Sequence, residues 1–544
     1  MAREQLEIER KFDVEEAFVL PDLSGVPGVS SAGEPVEHTL EAIYHDTADL
    51  RLARAKVTLR RRTGGTDAGW HVKLPAAAGA RRELHSPLGR ARKTVPTAVL
   101  APALGIVRHA PVTQVAGLRT RRLVTELYGE DGRVLAEVAD DHVTGTAFPA
   151  EPGEAAVVSS WREVEVELVD GDEQVLSAVG EALVAAGAQP SPSASKLIRV
   201  LGNRLPAVDP AAGRPAAAVA PEPHEAADGS GGEGRRSGKG GKKARRRHAA
   251  ARAAAPSTAA DLVRAALADL VAGLQDADLM VRTDTPDGIH QVRVSCRRLR
   301  SVLAAFRPVL DRERTDPLRA ELQWAGGELS GSRDAEVALG HLRELVAAQP
   351  PELVLGPVAA RLQQEELRDG LASGDEARTL LGTRRYLDLL DALADLVADP
   401  PFTERAAQPA APVVRAVLAR TVTRLTNAVD LADGAVDPEA LHGVRKAAKR
   451  LRYTADVAVP VLGDPARDLV DGLKDVQEVL GRRQDTFVTR ELCTRLGAQS
   501  FAAGGNPWTF GRLHGLEQSR GEQAAREFWT QWPRLRPVLR AATR

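Results

Sequence analysis

Several things are scarce in this chain. Its two cysteines, Cys296 and Cys493, stand far apart without metal-type spacing. That argues against a disulfide framework and points to a reducing compartment. Aromatic residues are 3% of the chain, so its cores must rest on Ala, Leu and Val. No apolar run approaches the roughly 20 residues that span a bilayer. The opening segment, MAREQLEIERKF, is charged from the start and has no apolar signal core, so a cytoplasmic protein is expected. Net charge is nearly absent too: 73 Lys and Arg against 74 Asp and Glu leave −1. The total therefore names no polyanionic partner. The charge is segregated along the chain, however, and local fields matter more than the sum.

What is present falls into two unlike parts. At 544 residues the chain is too long for one core. Composition shifts near residue 206. Residues 206–256 are Ala, Pro, Gly and Ser with charge, too poor in apolar side chains for a core, and read as a disordered linker. Its middle, RRSGKGGKKARRRH from Arg235, is strongly basic, either a solvated spacer or an electrostatic arm for a polyanion. Residues 1–205 carry short alternating runs: LEIERKF, KVTLRRR, GWHVKLP, RRLVTEL, VLAEVAD and REVEVEL. Turn signals such as Gly64-Gly65 and Asp131-Gly132 separate them, so this part reads as β-rich, with a helix from Glu173 to Ala186. Residues 257–544 show apolar residues at three- and four-residue spacing and read as all helix.

In a strand, residues i, i+2 and i+4 share a face. Glu7, Glu9 and Lys11 are so spaced, as are Lys56, Arg60 and Arg62; His71 and Lys73; Arg81 and Glu83; Arg119 and Arg121; Glu137 and Asp141; and Glu163, Glu165 and Glu167. The alternate positions are mostly apolar. An ordinary sandwich would turn each charged face to solvent. Read together, the charges are sorted by sign from strand to strand. A closed barrel with a charged, water-filled interior satisfies both faces and removes sheet edges. Basic groups there match phosphate oxygens, and clustered carboxylates suit hard divalent cations such as Mg2+ or Mn2+.

Glu7-Ile8-Glu9-Arg10-Lys11 has the ExExK pattern of the CYTH superfamily, the triphosphate tunnel metalloenzymes. The blocks YHDTADLRLARAKVTLRRR, GWHVKLP, RRE, LRTRR, EVADDHV, EVEVEL and SASK follow in order, and residues 1–205 resemble that family. The resemblance implies an antiparallel β-barrel enclosing a triphosphate tunnel. It implies that Arg60, Arg62, Lys73, Arg81, Arg119, Arg121 and Lys196 bind the substrate. Glu7, Glu9, Glu163 and Glu165 would hold Mg2+ or Mn2+, with Lys11 and Asp141 in catalytic roles. Asp141 is preferred to Asp140 by its parity with Glu137, and Arg121 to Arg122 by its parity with Arg119. The implied activity is metal-dependent hydrolysis of inorganic triphosphate or polyphosphate ends. Cyclisation of ATP and cleavage of RNA or thiamine triphosphates are other activities of this class.

The second part contains a repeat. HQVRVSCRRLRSVL begins at His290 and HGVRKAAKRLRYTA at His442, an offset of 152 (290 to 442). LSGSRD, ending at Asp334, is echoed by LGRRQD, ending at Asp485. Positions i, i+3, i+7 and i+10 of a helix lie within an arc of about 80°. His290, Arg293, Arg297 and Arg300 thus form one basic stripe, and His442, Arg445, Lys449 and Arg452 form another. Like charges so spaced repel, and a stripe present twice suits a polyanion. These motifs resemble the CHAD domain, the conserved-histidine α-helical domain. That resemblance implies an all-α bundle with internal two-fold symmetry over residues 257–544. Inorganic polyphosphate would lie along the stripes, Arg298 and Lys446 would stand at the rim, and Asp334 and Asp485 would orient basic side chains. A non-catalytic protein of polyphosphate granules, or one that binds nucleic acid, is the alternative to an enzyme. Gln484 stands where the first repeat has Arg333, so the two halves need not bind equally.

Overall fold

The computed structural model describes residues 3–65, 67–75, 81–89, 94–151, 153–193, 195–205, 256–329, 331–432 and 438–544, with backbone alone at 3–6, 203, 331–337, 366–373 and 438–439. They fall into two compact units, Met1–Gly213 and Arg214–Arg544. The linker expected at 206–256 lies, apart from Pro256, outside the described residues.

The first unit is one antiparallel sheet. Its strands are β1 (Arg3–Glu7), β2 (Glu9–Val14), β3 (Ser31–Ala32), β4 (Val36–Asp46), β5 (Thr58–Thr63), β6 (Gly69–Pro75), β7 (Arg81–Pro87), β8 (Thr113–Tyr128), β9 (Val134–Ala147), β10 (Val157–Leu168) and β11 (Gln189–Pro190). The ladder runs β1-β7-β6-β5-β4-β8-β9-β10-β2-β11, with β3 added to β8. It is not a closed ring of ladders. Yet β1 and β2 are two halves of one N-terminal segment, parted only at Ile8. Residues 3–7 pair with β7, and residues 9–14 pair with β10. The chain's own continuity across Ile8 therefore joins the two sides of the sheet around a charged interior.

The outward face of β2, β9 and β10 is apolar and needs a cover. Helix α4 (Glu173–Ala185) supplies it, after four short helices' worth of chain is spent elsewhere: α1 (Arg51–Arg54), α2 (Thr97–Leu100) and α3 (Leu104–Val107) precede it with a 3-10 turn at Ala101–Ala103. Asp172 caps α4 by accepting the N–H groups of Gln174 and Val175. Val175, Leu176, Val179 and Leu183 pack on Phe12, Val138, Val164 and Val166. Each such side chain, fully buried, contributes about 1.5–3 kcal/mol. A short helix, α5 (Lys196–Leu201), is capped by Ser195, which accepts the N–H of Ile198. Its Leu197, Val200 and Leu201 pack with Ala42, Tyr44, Leu118 and Val143, so one stretch of the inner face is filled by an apolar plug.

The second unit is helical: α6 (Ala259–Arg282), α7 (Gly288–Ala305), α8 (Arg312–Glu328), α9 (Gly331–Ala347), α10 (Val358–Leu381), α11 (Arg384–Ala398), α12 (Ala410–Ala432), α13 (Pro438–Leu462), α14 (Asp464–Ala502) and α15 (Trp508–Thr543). Thr258 and Asp261 form a reciprocal capping box at the start of α6. The repeat is structural as well as textual. Val292, Cys296 and Leu299 of α7 are buried, and so are their counterparts Val444, Ala448 and Leu451 of α13. The two helices pack on each other. Both cysteines are buried and free, and burial pushes each thiol up to about 12, so neither is a thiolate at neutral pH. No helix among the described residues is long and apolar enough to cross a membrane.

Candidate functional site

The pleat turns Glu7, Glu9, Lys11, Arg60, Arg62, His71, Lys73, Glu83, Arg122, Asp141, Glu163 and Glu165 toward one another, and two poles emerge. At the acidic pole, Asp141 of β9 and Glu163 and Glu165 of β10 are all buried, with ligand atoms within 4.8 Å of one another. Asp141 and Glu163 are partners in the β9–β10 register, and Glu165 follows on the same face. Arg122 Nη2 lies 2.6 Å from both Asp141 Oδ2 and Glu165 Oε2. Lys11 contacts Glu165 and lies 2.8 Å from Glu9 Oε2. Lys196, the first residue of α5, lies 2.9 Å from Asp141, 2.7 Å from Glu163 and 2.7 Å from Glu165. Burial alone would raise the Glu165 carboxyl, but Lys11, Lys196 and Arg122 hold it well below the usual range. Trp161 Nε1–H donates to Glu163 Oε2 at 2.5 Å. The other oxygen, Glu163 Oε1, is buried without a hydrogen bond of proper direction.

The basic pole is formed by Arg60 and Arg62 of β5, with Arg122 adjoining. Burial and the charges of Arg60 and Arg122 push Arg62 down to about 10. Three guanidinium groups crowd together, and the Nε atoms of Arg60 and Arg62 are buried without a hydrogen-bond partner. Arg62 pairs with Asp67, Arg60 lies 3.7 Å from Glu83, and Arg122 is held by Asp141 and Glu165, but the two unbonded Nε–H groups are costly and suit an anion. Beside this pole, Lys73 Nζ lies 2.5 Å from Glu7 Oε2 and 3.3 Å from Glu83 Oε2. His71 Nδ1–H donates to Glu83 Oε1 at 2.5 Å. Burial, and then the hydrogen bond shared with Glu83, raise Glu7 to about 8 against the pull of Lys73. Glu167 is also raised, chiefly by burial.

Most of the residues expected in the tunnel are therefore brought together, and the departures are specific. Arg119 and Arg121 are exposed on the outer face, where Arg121 pairs with Glu37 at 3.2 Å. The inward arginine of β8 is Arg122. The reason is the plug: the inner face of β8 carries Leu118, which packs against α5, so the phase of charges on this strand is inverted. Glu7 and Glu9 lie outside the group of Asp141, Glu163 and Glu165 whose ligand atoms converge within 4.8 Å; Glu7 pairs with Lys73 and Glu9 with Lys11. Asp140, one residue away, faces out and holds Arg162 at 2.7 Å. Arg81 stands on the inner side, in register with Glu7 at the end of β7.

The three converging carboxylates fit a hard divalent cation. All donors are oxygen, all are buried, and Glu163 Oε1 lacks a directed partner. Mg2+ and Mn2+ are both compatible with this set.

In the helical unit, His290, Arg293, Arg297 and Arg300 are each half-buried along α7, and His442, Arg445, Lys449 and Arg452 along α13. The stripes are thus recessed rather than fully solvated. Arg298 lies over the Tyr453 ring at 5.6 Å and 3.7 Å from Asp456, linking the two helices. Burial, then Arg319 and Arg450, lower the pKa of Arg300. Arg319 of α8 and Arg450 of α13 thus join this basic cluster. The repeat pairs Arg450 with Arg298; nothing in the sequence pointed to Arg319. His442 Nδ1 lies 2.7 Å from Gln484 Oε1. Lys446 is exposed and Asp485 is half-buried, while the side chain of Asp334 lies outside the described residues.

Comparison with known proteins agrees with this architecture. The CYTH domain family matches residues 5–199 and the CHAD domain family matches residues 265–494. Uncharacterized proteins of two Mycobacterium tuberculosis strains, CDC 1551 / Oshkosh and ATCC 25618 / H37Rv, are each 34% identical over 552 residues, covering 99% of this chain and 98% of theirs. Among solved structures, PptA from Streptomyces chartreusis matches with TM-score 0.43 at 22% identity, covering 51% of this chain and 100% of its own. The CHAD domain of the plant Ricinus communis matches with TM-score 0.41 at 23% identity, covering 49% and 87%. A Hippeastrum protein described as a putative adenylyl cyclase with a dominant triphosphatase activity matches with TM-score 0.23 at 18% identity, covering 38% and 99%. The chain belongs to the proteins in which a CYTH domain, a metal-dependent triphosphate tunnel, is followed by a CHAD domain.

Proposed function

We propose that the first domain hydrolyses inorganic triphosphate, including the ends of polyphosphate chains, and that the second domain binds polyphosphate. The observation that carries the first part is the pairing of poles inside one tunnel. Burial and the crowding of Arg60, Arg62 and Arg122 hold Arg62 below its usual range, beside three carboxylates suited to a divalent ion. A linear triphosphate offers oxygens to the unbonded Nε–H groups of Arg60 and Arg62. Arg60 and Arg62 bind its oxygens in two-pronged fashion, and Lys73 adds a point charge. Asp141, Glu163 and Glu165 hold Mg2+ or Mn2+, which when bound neutralises phosphate charge and polarises the scissile bond. Water attacks the terminal phosphorus, the bridging P–O bond breaks, and orthophosphate and pyrophosphate leave.

Phosphate release from tripolyphosphate with Mg2+ or Mn2+ tests this reading. Wild type should release phosphate, and Glu165→Gln should not. Absence of release by wild type, or equal release by the variant, overturns it. Thiamine triphosphate, ATP and long-chain polyphosphate assayed alongside rank the substrates. For the second domain, full-length protein with Arg293→Glu and Arg445→Glu should lose binding of long-chain polyphosphate that wild type retains. Placement in the cytoplasm, at polyphosphate granules, is part of the same proposal, and a fluorescent fusion tests it.

A further inference from the structure

The carboxylates of the acidic pole already hold a cation, and it belongs to the protein. Lys196 Nζ is within 2.9 Å of Asp141 Oδ2 and within 2.7 Å of Glu163 Oε1 and Glu165 Oε1. A divalent ion bound by these three groups at about 2.0–2.6 Å would fall in the same small volume. The ammonium and the ion therefore exclude each other. The backbone behind Lys196 is fixed: Ser195 caps α5, and Leu197, Val200 and Leu201 are buried in the plug. Only the flexible side chain can yield. It is also an imperfect occupant, because Glu163 Oε1 lies close to the ammonium yet has no directed hydrogen bond. A metal ion makes no such directional demand.

Charge balance points the same way. Asp141, Glu163 and Glu165 are already met by Lys11, Arg122 and Lys196, with Lys11 shared with Glu9 and Arg199 3.8 Å from Glu163. Adding a divalent ion with Lys196 in place sets an excess of two positive charges directly beside the ammonium. Such an excess is strongly disfavoured. Moving the ammonium aside, toward an arriving anion, removes both the steric and the charge conflict.

We propose that Lys196 is a built-in occupant of the cation place between Asp141, Glu163 and Glu165, and that a divalent ion enters as the ammonium is drawn out to an anion in the tunnel. The occupancy stands on the geometry alone; the identity of the anion rests on the triphosphate reading above. Binding of Mn2+ to the full chain by equilibrium dialysis, which counts ion retained by protein, separates the two. The site is defined as binding lost in Glu163→Gln. Without tripolyphosphate, Lys196→Met should bind Mn2+ there at least tenfold more tightly than wild type. Equal affinities overturn the proposal. With tripolyphosphate, wild type should gain Mn2+ affinity at least tenfold. If Lys196→Met gains affinity but tripolyphosphate leaves wild type unchanged, the occupancy holds and the triphosphate reading fails.

Stability gives a second measurement. Lys196→Met in EDTA should melt below wild type, because three buried carboxylates have lost a partner. Mn2+ should raise its Tm much more than it raises that of wild type. A variant that folds only with Mn2+ present meets the same expectation. One that Mn2+ does not help, or helps no more than wild type, overturns the proposal.

Discussion

Arg122 grips Asp141 with two parallel hydrogen bonds, Nε to Oδ1 at 2.7 Å and Nη2 to Oδ2 at 2.6 Å, between register partners of β8 and β9. Burial opposes the guanidinium charge, but Asp141 and then Glu165 raise its pKa well above the usual value. Arg121, the next residue back, makes an exposed pair with Glu37. Neighbouring arginines should therefore behave very differently. Arg122→Ala leaves two buried carboxylates short of a partner and should cost on the order of 3 kcal/mol in denaturant unfolding. It should also weaken tripolyphosphate binding. Arg121→Ala should change stability by no more than about 0.5 kcal/mol and leave hydrolysis intact. Equal effects of the two variants would contradict the inward placement of Arg122.

Glu7 gives a pH signature. Its carboxyl is raised from 4.5 to about 8, first by burial and then by the hydrogen bond shared with Glu83. The folded state thus holds a proton that the unfolded state has released above pH 4.5. A group of this kind contributes stability that is fully present below the unfolded pKa and is lost as pH rises through the folded one. The Glu7→Gln variant cannot lose that proton. In EDTA, the difference in Tm between the variant and wild type should grow in favour of the variant as pH rises from about 4.5 to 8, by an amount equivalent to a few kcal/mol (~1.4 kcal/mol per pKa unit). A difference that stays flat over this window would show that Glu7 titrates normally.

The strands, the helical second half and its repeat were legible because periodicity carries them. Glu163, Glu165 and Glu167 share a face in any register, and the matched headings His290 and His442 need no structure to be seen. The choice between inner and outer face was less secure. Asp141 faces inward, as its parity with Glu137 suggests. Arg119 and Arg121 face outward, and LRTRR places arginine on both faces. Inward charge is interrupted on β8 before Arg122, since α5 fills part of the interior with Leu197 and Val200 and packs on Leu118. That intrusion comes from a segment almost 80 residues downstream of Leu118 (118 to 196), and local pattern cannot report it. The same limit applies to Glu7 and Glu9. Their spacing is plain, but Lys73 as a partner of Glu7 arises only when β1 pairs with β7 beside β6.

The plug itself can be tested at Gly145. A Cβ there would stand 2.3 Å from Val200 Cγ2 and 3.1 Å from the Trp161 ring. No real side chain tolerates the first distance, so Val200 or the helix that carries it must shift. Gly145→Ala should lose about 1–3 kcal/mol as overpacking. Because α5 carries Lys196, it should also disturb the carboxylate cluster. Gly145→Ala combined with Val200→Ala gives the space back, and its Tm should return toward wild type. Failure of the second substitution to rescue the first would mean that the glycine is needed for another reason.

Crowded arginines in the helical unit predict a trade between stability and binding. Arg300 has its pKa lowered by burial and then by Arg319 and Arg450, which means that these cations repel one another in the free protein. Arg319 is partly compensated by Asp316 at 2.8 Å, whereas Arg450 is exposed. Removing Arg450 should relieve repulsion without opening the core. Arg450→Ala should leave Tm unchanged or raise it slightly, within about 0.5 kcal/mol of stability. The same variant should bind long-chain polyphosphate more weakly, with a shallower dependence of log affinity on log salt, because fewer counterions are released on binding. A structural arginine would behave in the opposite way, lowering Tm on removal and leaving the salt slope untouched. Titration of polyphosphate at several salt concentrations, beside thermal unfolding of the free protein, separates the two outcomes for Arg450→Ala against wild type.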